Sequence, residues 1–224
     1  MAAGEMSGDE FQHFLDDVYG VLPAFLKDGA LVYSFMDWRN IDVLTAAARA
    51  AGMVQKNLLV WAKETPRLGS MYRSQHELIG LYKHGKAPHI NNNEMGRYGR
   101  NRANVLFYPG VSGFSKGKSR TLDVHPTAKT VGMLADILLD CTNRDDLVLD
   151  RFGGSGSTLI AAEKVERTAI TVELDPHYAD AIIRRFEAST GVMAVHVDSG
   201  RGFAEVAAER VGIADEQEAD DVSQ

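Results

Sequence analysis

The stretch "LVLDRFGGSGSTLIAAEKVERTAITVELDP", residues 147–176, constrains the fold more than any other part of the chain. Leu147–Asp150 reads as a short strand, and a glycine cluster follows it at once. Helical spacing then runs from about Ser157 to Val165, and a second strand covers Thr168–Glu173. Strand, turn, helix and strand in that order make a βαβ unit, the crossover that parallel strands require. Gly154 and Gly156 stand in G-x-G spacing, which brings backbone close to a ligand and aims helix N–H groups at it. Glu173 ends the second strand, where a carboxylate beside the turn can accept both hydroxyls of an adenosine ribose. The third glycine of the dinucleotide fingerprint would fall at Leu159, and the Gly-Lys-Ser/Thr of a phosphate loop is absent. The plain alternative is a tight turn and a surface Glu; the carboxylate at this interval favours adenosine.

The remaining periodicity agrees with an α/β parallel sheet. Ser7 to about Phe25 has helical spacing, with Ser7 and Glu10 set for a capping box. Ala30–Met36 is an apolar strand, and Asn40–Ala51 is an alanine-rich helix closed by Gly52. Asn57–Lys63 and His76–Gly85 read as two more strands. Thr127–Cys141 and Pro176–Ala188 return to helix, and no internal repeat is visible. With 224 residues, the chain fits one domain with an inserted lobe.

Charge is unevenly spread. The formal net charge is −7, yet residues 82–120 hold eight bases against Glu94 alone, a local +7. Overlapping that stretch, Lys86 to Val124 has little period, and its Arg and Lys residues alternate with Tyr98, Phe107, Tyr108 and Phe114. Cations reach phosphates, while Asn, Arg and aromatic groups read or stack on bases. A charged loop can equally be a solvated surface, and composition alone leaves the two readings even. The end reverses the sign: five acids and no base follow from Asp215, a composition expected to be disordered. Cys141 is the only cysteine, so neither a disulfide framework nor a cysteine-rich zinc site can form within the chain, as suits a reducing cytosol. No apolar run reaches the roughly 18 residues of a membrane span, and the start lacks signal-peptide character. The expectation is a cytoplasmic protein with no membrane partner. Arg73, His76 and Glu77 suggest a hydrogen-bonded strand edge more than a catalytic group, and no metal-ligand spacing accompanies them.

Residues 147–187 resemble the cofactor-binding part of S-adenosylmethionine-dependent DNA amino-methyltransferases, which make N6-methyladenine or N4-methylcytosine. Upstream, "HPTAK" (His125–Lys129) resembles the family's His-Pro-Thr-x-Lys segment, and "NLLVWAKETPRLGSMYRSQHELIGLYKHG" resembles it too. The resemblance runs from Ser7 to Gly191 in the circularly permuted order. It implies a Rossmann-like methyltransferase sheet with S-adenosylmethionine as cofactor. Asp150, Phe152, Gly154 and Gly156 would form the cofactor turn, Glu173 would bind the ribose, and Thr127 and Lys129 would approach the methionyl carboxylate. Taken singly, Thr127 reads as a helix cap and Lys129 as a solvated side chain. The family usually has proline at the positions of Arg151 and Thr130, and proline presets the backbone. The basic insert falls where the family places its target-recognition region. That position favours contact with duplex DNA through Arg97, Arg100 and Arg102, with Lys116 and Lys118.

The same resemblance exposes a gap. The family holds the target amine with an Asp/Asn/Ser-Pro-Pro-aromatic segment, whose ring stacks on the extruded base. Pro23, Pro66, Pro88, Pro109, Pro126 and Pro176 are all isolated, so that segment is absent and no catalytic residue can be assigned. A C5-cytosine route needs a Pro-Cys nucleophile, and Cys141 follows Asp140. The fold expected is therefore an incomplete α/β methyltransferase sheet whose catalytic-motif strand, next to Leu147–Asp150, is missing. The expected organisation is a permuted methyltransferase domain over 1–200, with the insert at 85–124 and the cofactor half at 125–191, then a C-terminal segment over 201–224. The expected function is a truncated DNA methyltransferase, inactive alone. Its partners would be duplex DNA, a separate N-terminal fragment carrying the catalytic motif, or a second copy of the chain. A non-catalytic DNA- or cofactor-binding remnant and a nucleotide-dependent oxidoreductase are the rivals; the missing third glycine and the HPTAK segment oppose the latter.

Overall fold

The elements run α1 (Gly8–Val21), a 3-10 turn (Leu22–Phe25), β1 (Leu31–Met36), α2 (Ile41–Ala50), β2 (Val54–Ala62), β3 (His76–Lys83), β4 (Val105–Phe107), α3 (Val131–Cys141), β5 (Leu147–Asp150), α4 (Ser157–Lys164), β6 (Thr168–Thr171) and α5 (Pro176–Thr190). The computed structural model describes residues 6–66, 71–93, 99–110 and 129–210. These divide into two units, one carrying β1–β4 with α1–α3, the other β5, β6, α4 and α5.

In the first unit the strand order is β1-β3-β2-β4, with β3 antiparallel to both neighbours and β2 parallel to β4. Side chains alternate across a strand, so Ile79 and Tyr82, both fully buried on β3, serve opposite faces. On one face Tyr82 packs with Leu15, Tyr19, Leu22, Leu44, Ala47, Ala48 and Met53 from α1, α2 and their connections. On the other, Ile79 joins Trp61, Leu106, Met133 and Ile137, which seats α3. Helix α1 starts as its sequence dictates: the Ser7 side chain accepts from Glu10 N–H, and the Glu10 carboxylate accepts from Ser7 N–H.

The second unit is the βαβ crossover. Strands β5 and β6 pair in parallel, Leu147 opposite Thr168 and Asp150 opposite Thr171. Ile160, Ala161 and Ala162 of α4 and Ile182 of α5 are buried there. Beyond α5, Val195 and Gly202 form an isolated bridge, and residues 203–210 are helical.

Several boundaries differ from the periodicity. β2 begins at Val54, ahead of Asn57, because a bulge between Gln55 and Asn57 lets a polar stretch continue the ladder. β6 ends at Thr171, not Glu173, because its partner strand leaves the ladder at Asp150 to enter the glycine turn. α3 begins at Val131, with Lys129 and Thr130 outside it; Thr127 lies outside the described residues. β4 was not expected inside the basic insert, since three residues are too few to show a period. The acidic tail from Asp215 also lies outside the described residues.

Candidate cofactor site

The turn after β5 is shaped by its neighbours as much as by its own glycines. Asp150 Oδ1 accepts from Phe152 N–H at 3.1 Å, which bends the chain out of the strand. Gly153 N–H then donates to Val172 O at 2.8 Å and Gly156 N–H to Gly153 O at 2.8 Å, closing a tight loop. Gly154 and Gly156 take φ of 51° and 70°, a region that side chains rarely enter. Gly153 has a different reason to be glycine: a Cβ there would lie 2.8 Å from both Ile182 Cδ1 and Thr171 Oγ1. At Gly156 a Cβ would approach Ile182 Cγ2 to 2.9 Å. The turn therefore rests on α5. Helix α4 starts at once with Ser157, only 4% exposed, so its first N–H groups issue from the turn.

Glu173 reaches back to this turn. Its Oε2 accepts from Gly154 N–H at 2.7 Å, and its Oε1 accepts from Leu174 N–H at 3.0 Å and Asp175 N–H at 3.1 Å. A carboxylate offers about four lone-pair positions, so three backbone donors leave capacity for a further hydroxyl. Leu174, next to Glu173, is 96% exposed, and Phe152, in the glycine turn, is 56% exposed. Arg151, where the family has proline, places its guanidinium 5.9 Å from the centre of the Phe152 ring. The backbone N–H groups of the left-handed turn and a fixed carboxylate beside them fit an adenosine-bearing ligand.

Of the other expected cofactor residues, Lys129 lies two residues before α3 and is half-buried. The next residue, Thr130, has a buried Oγ1 with no hydrogen-bond partner among the described residues. Among the described residues no cluster of His, Cys, Asp and Glu suits a metal ion. Arg73 donates to Pro66 O at 3.0 Å, and Glu77 pairs with Lys63 at 3.1 Å.

The basic insert divides into two groups. Arg97, Lys116 and Lys118 lie outside the described residues. Arg100 and Arg102, in the segment before β4, pair with carboxylates of α3. Arg100 Nε meets Asp140 Oδ1 at 2.7 Å, and Arg102 Nη2 meets Asp136 Oδ1 at 2.5 Å. Asp136 also accepts from the Tyr108 hydroxyl. Burial pushes the Asp136 pKa up, but the Tyr108 hydroxyl and the two guanidinium groups outweigh it and hold the carboxyl below its ordinary value. For Arg102 burial works downward, and Asp136, Tyr108 and Asp140 reverse it to a net rise. Asn92 adds a clamp at the end of α3, donating to Leu139 O at 3.1 Å and Thr142 O at 2.8 Å. Sequence reasoning had no means to pair these arginines, because their acids lie 34 to 40 positions further along the chain.

Residues 2–184 match the profile of a DNA methylase family, the N6/N4 methylases. The chain belongs to that family. Among the chain's curated relatives is the type II methyltransferase M2.MboI of Moraxella bovis, 28% identical over 175 residues. The match covers 75% of the chain but only 63% of that relative's length. Among solved structures, the M1.HpyAVI–SAM complex is 25% identical with a TM-score of 0.66, covering 80% of the chain and 84% of that protein. The cytosine-N4-specific PvuII DNA methyltransferase is 18% identical with a TM-score of 0.68, covering 83% and 74%, and supports the fold alone. The α/β architecture is thus that of DNA methyltransferases. No helix among the described residues is long and apolar enough to cross a membrane.

Proposed function

We propose that the chain is the cofactor-binding and DNA-binding part of an S-adenosylmethionine-dependent methyltransferase acting on an exocyclic amine of adenine or cytosine in duplex DNA. The observation that carries this reading is the Glu173 carboxylate seated on the Gly154 N–H beside the G-x-G turn. Glu173 would accept a ribose hydroxyl through its remaining lone pair. Gly154 and Gly156 would give the turn the left-handed backbone that aims its N–H groups at the ligand, while Gly153 and Gly156 seat it on Ile182 and Asp150 holds the turn's entry. Thr127 and Lys129 would face the methionyl carboxylate, with Phe152 flanking the site. When bound, S-adenosylmethionine supplies an electrophilic methyl group.

Within the insert, Arg97, Lys116 and Lys118 would contact DNA phosphates. Arg100 and Arg102 would hold the insert against α3, and any phosphate contact by them would compete with Asp136 and Asp140. No residue is assigned the task of holding the target amine, since no Pro-Pro-aromatic segment occurs in the sequence. A segment carrying one would pair along the edge of β5 that has no strand partner among the described residues. The reading is tested by following labelled methyl transfer from S-adenosylmethionine to duplex DNA. The chain alone should give none, and adding a family-type N-terminal segment with Asp-Pro-Pro-Tyr, fused or co-expressed, should give turnover. Transfer by the chain alone would show that another residue positions the amine. No transfer despite soluble complementation would favour a non-catalytic binding remnant.

A further inference from the structure

Arg185 on α5 sits half-buried with no carboxylate partner among the described residues. Its Nη1 donates instead to the Ser155 carbonyl and to Ser157 Oγ, the latter at 2.9 Å. Ser157 Oγ is also 3.0 Å from Ser155 Oγ. One guanidinium nitrogen therefore spans the turn from its third residue to the first residue of α4. Burial lowers the Arg185 pKa from the ordinary arginine value, a cost that no neighbouring carboxylate offsets.

Two backbone facts show why such a tether matters. The turn enters left-handed conformations at Gly154 and Gly156, which a glycine chain also leaves readily. The same segment touches α5 at a second point, where Gly153 and Gly156 lie against Ile182. Ile182 and Arg185 are three apart on α5 and so share a face. The apolar contact sets how closely the turn approaches the helix. The guanidinium holds the Ser155 carbonyl toward α5. A charge-assisted bond holds that orientation more firmly than a neutral one.

We propose that Arg185 is a positioning residue for the cofactor turn, acting through the Ser155 carbonyl and the Ser157 hydroxyl to hold Gly154–Ser157 in its ligand-binding form. This rests on the reading that the turn binds S-adenosylmethionine. It assigns the preorganisation of that site to a side chain outside it.

The test is calorimetric titration of the full chain with S-adenosylhomocysteine, beside unliganded thermal melts, for Arg185→Met, Arg185→Lys, Ser157→Ala and the Arg185→Met/Ser157→Ala pair. Arg185→Met should weaken binding about tenfold, close to the lower end of the effect of one hydrogen bond to a charged group. Ser157→Ala should weaken it about threefold, and the double variant should bind about as weakly as Arg185→Met alone, because Arg185→Met already removes the bond that Ser157→Ala removes. Arg185→Lys keeps a cation and donors and should recover most of the affinity. Variants that melt lower yet bind with unchanged affinity would reduce Arg185 to a structural role and overturn the proposal. Additive losses in the double variant would do the same. If Arg185→Met does not fold, the Ser157→Ala and Arg185→Lys affinities decide the matter. If the unaltered chain fails to bind S-adenosylhomocysteine, the functional reading falls and this proposal falls with it; unchanged affinity in the variants alone removes only the proposal.

Discussion

Replacing Asp136 by Asn separates the two roles open to the basic insert. The carboxylate receives Arg102 at 2.5 Å and Arg100 at 3.4 Å, and it accepts from the Tyr108 hydroxyl. Asn keeps the shape and an acceptor for Tyr108 but removes the charge that both guanidinium groups share. Asp136 is 33% exposed, with Arg100 at 21% and Arg102 at 29%, so solvent screens part of the attraction. Charge-assisted bonds contribute about 1.5–3 kcal/mol and exposed pairs about 0–1. The expected loss is therefore about 1–2 kcal/mol, softened because Asp140 retains both arginines. For a chain of this size that lowers Tm by about 2–8 °C. The pH dependence has a definite sign. The folded pKa of Asp136 is depressed, so its contribution is complete above the unfolded value of about 3.9. It is lost as pH falls through the lower folded value. Urea midpoints should thus differ between Asp136→Asn and the parent at pH 7, and the gap should narrow in acid below about pH 4. Equal midpoints at pH 7, or a gap indifferent to pH, would refute the network as a source of stability. In parallel, Arg102→Met should destabilise the chain while leaving the salt slope of DNA binding unchanged, whereas a phosphate-contacting arginine would reduce that slope by about 0.9.

Two further outcomes follow from the turn and the insert. Gly153→Ala should destabilise the chain by about 1–3 kcal/mol through overpacking, because its Cβ would meet Ile182 and Thr171 at 2.8 Å; a melt matching the parent would mean that α5 yields easily. Neutralising Arg97, Lys116 and Lys118 together should reduce the log–log salt slope of duplex binding by about 2–3, and an unchanged slope would place the DNA surface elsewhere.

What could be read in the sequence was what is local. Leu147 to Glu173 carries its strand, turn, helix and carboxylate within one crossover, so Gly154, Gly156 and Glu173 were legible from spacing alone. Ser7 and Glu10 were legible for the same reason, since a capping box closes within three residues. Gly153 escaped notice because its constraint comes from Ile182 on α5, not from its own backbone. Arg185 escaped because it contacts Ser155 and Ser157 from 30 and 28 residues away. The arginines of the insert looked like a field of free cations. Only the packing of α3 brings Asp136 and Asp140 to Arg100 and Arg102, and a local charge count cannot see partners beyond its window. β4 is likewise set by its parallel pairing with β2, not by any pattern in three residues.

The central claim is that the turn and Glu173 form an adenosine site for S-adenosylmethionine. Calorimetric titration of the chain and of Glu173→Ala with S-adenosylmethionine, S-adenosylhomocysteine and NAD tests it most directly. The parent should bind the first two in preference to NAD, and Glu173→Ala should weaken both by about 1.5–3 kcal/mol, the scale of bonds to a charged acceptor. Equal affinity in the variant, or a preference for NAD, would contradict the account.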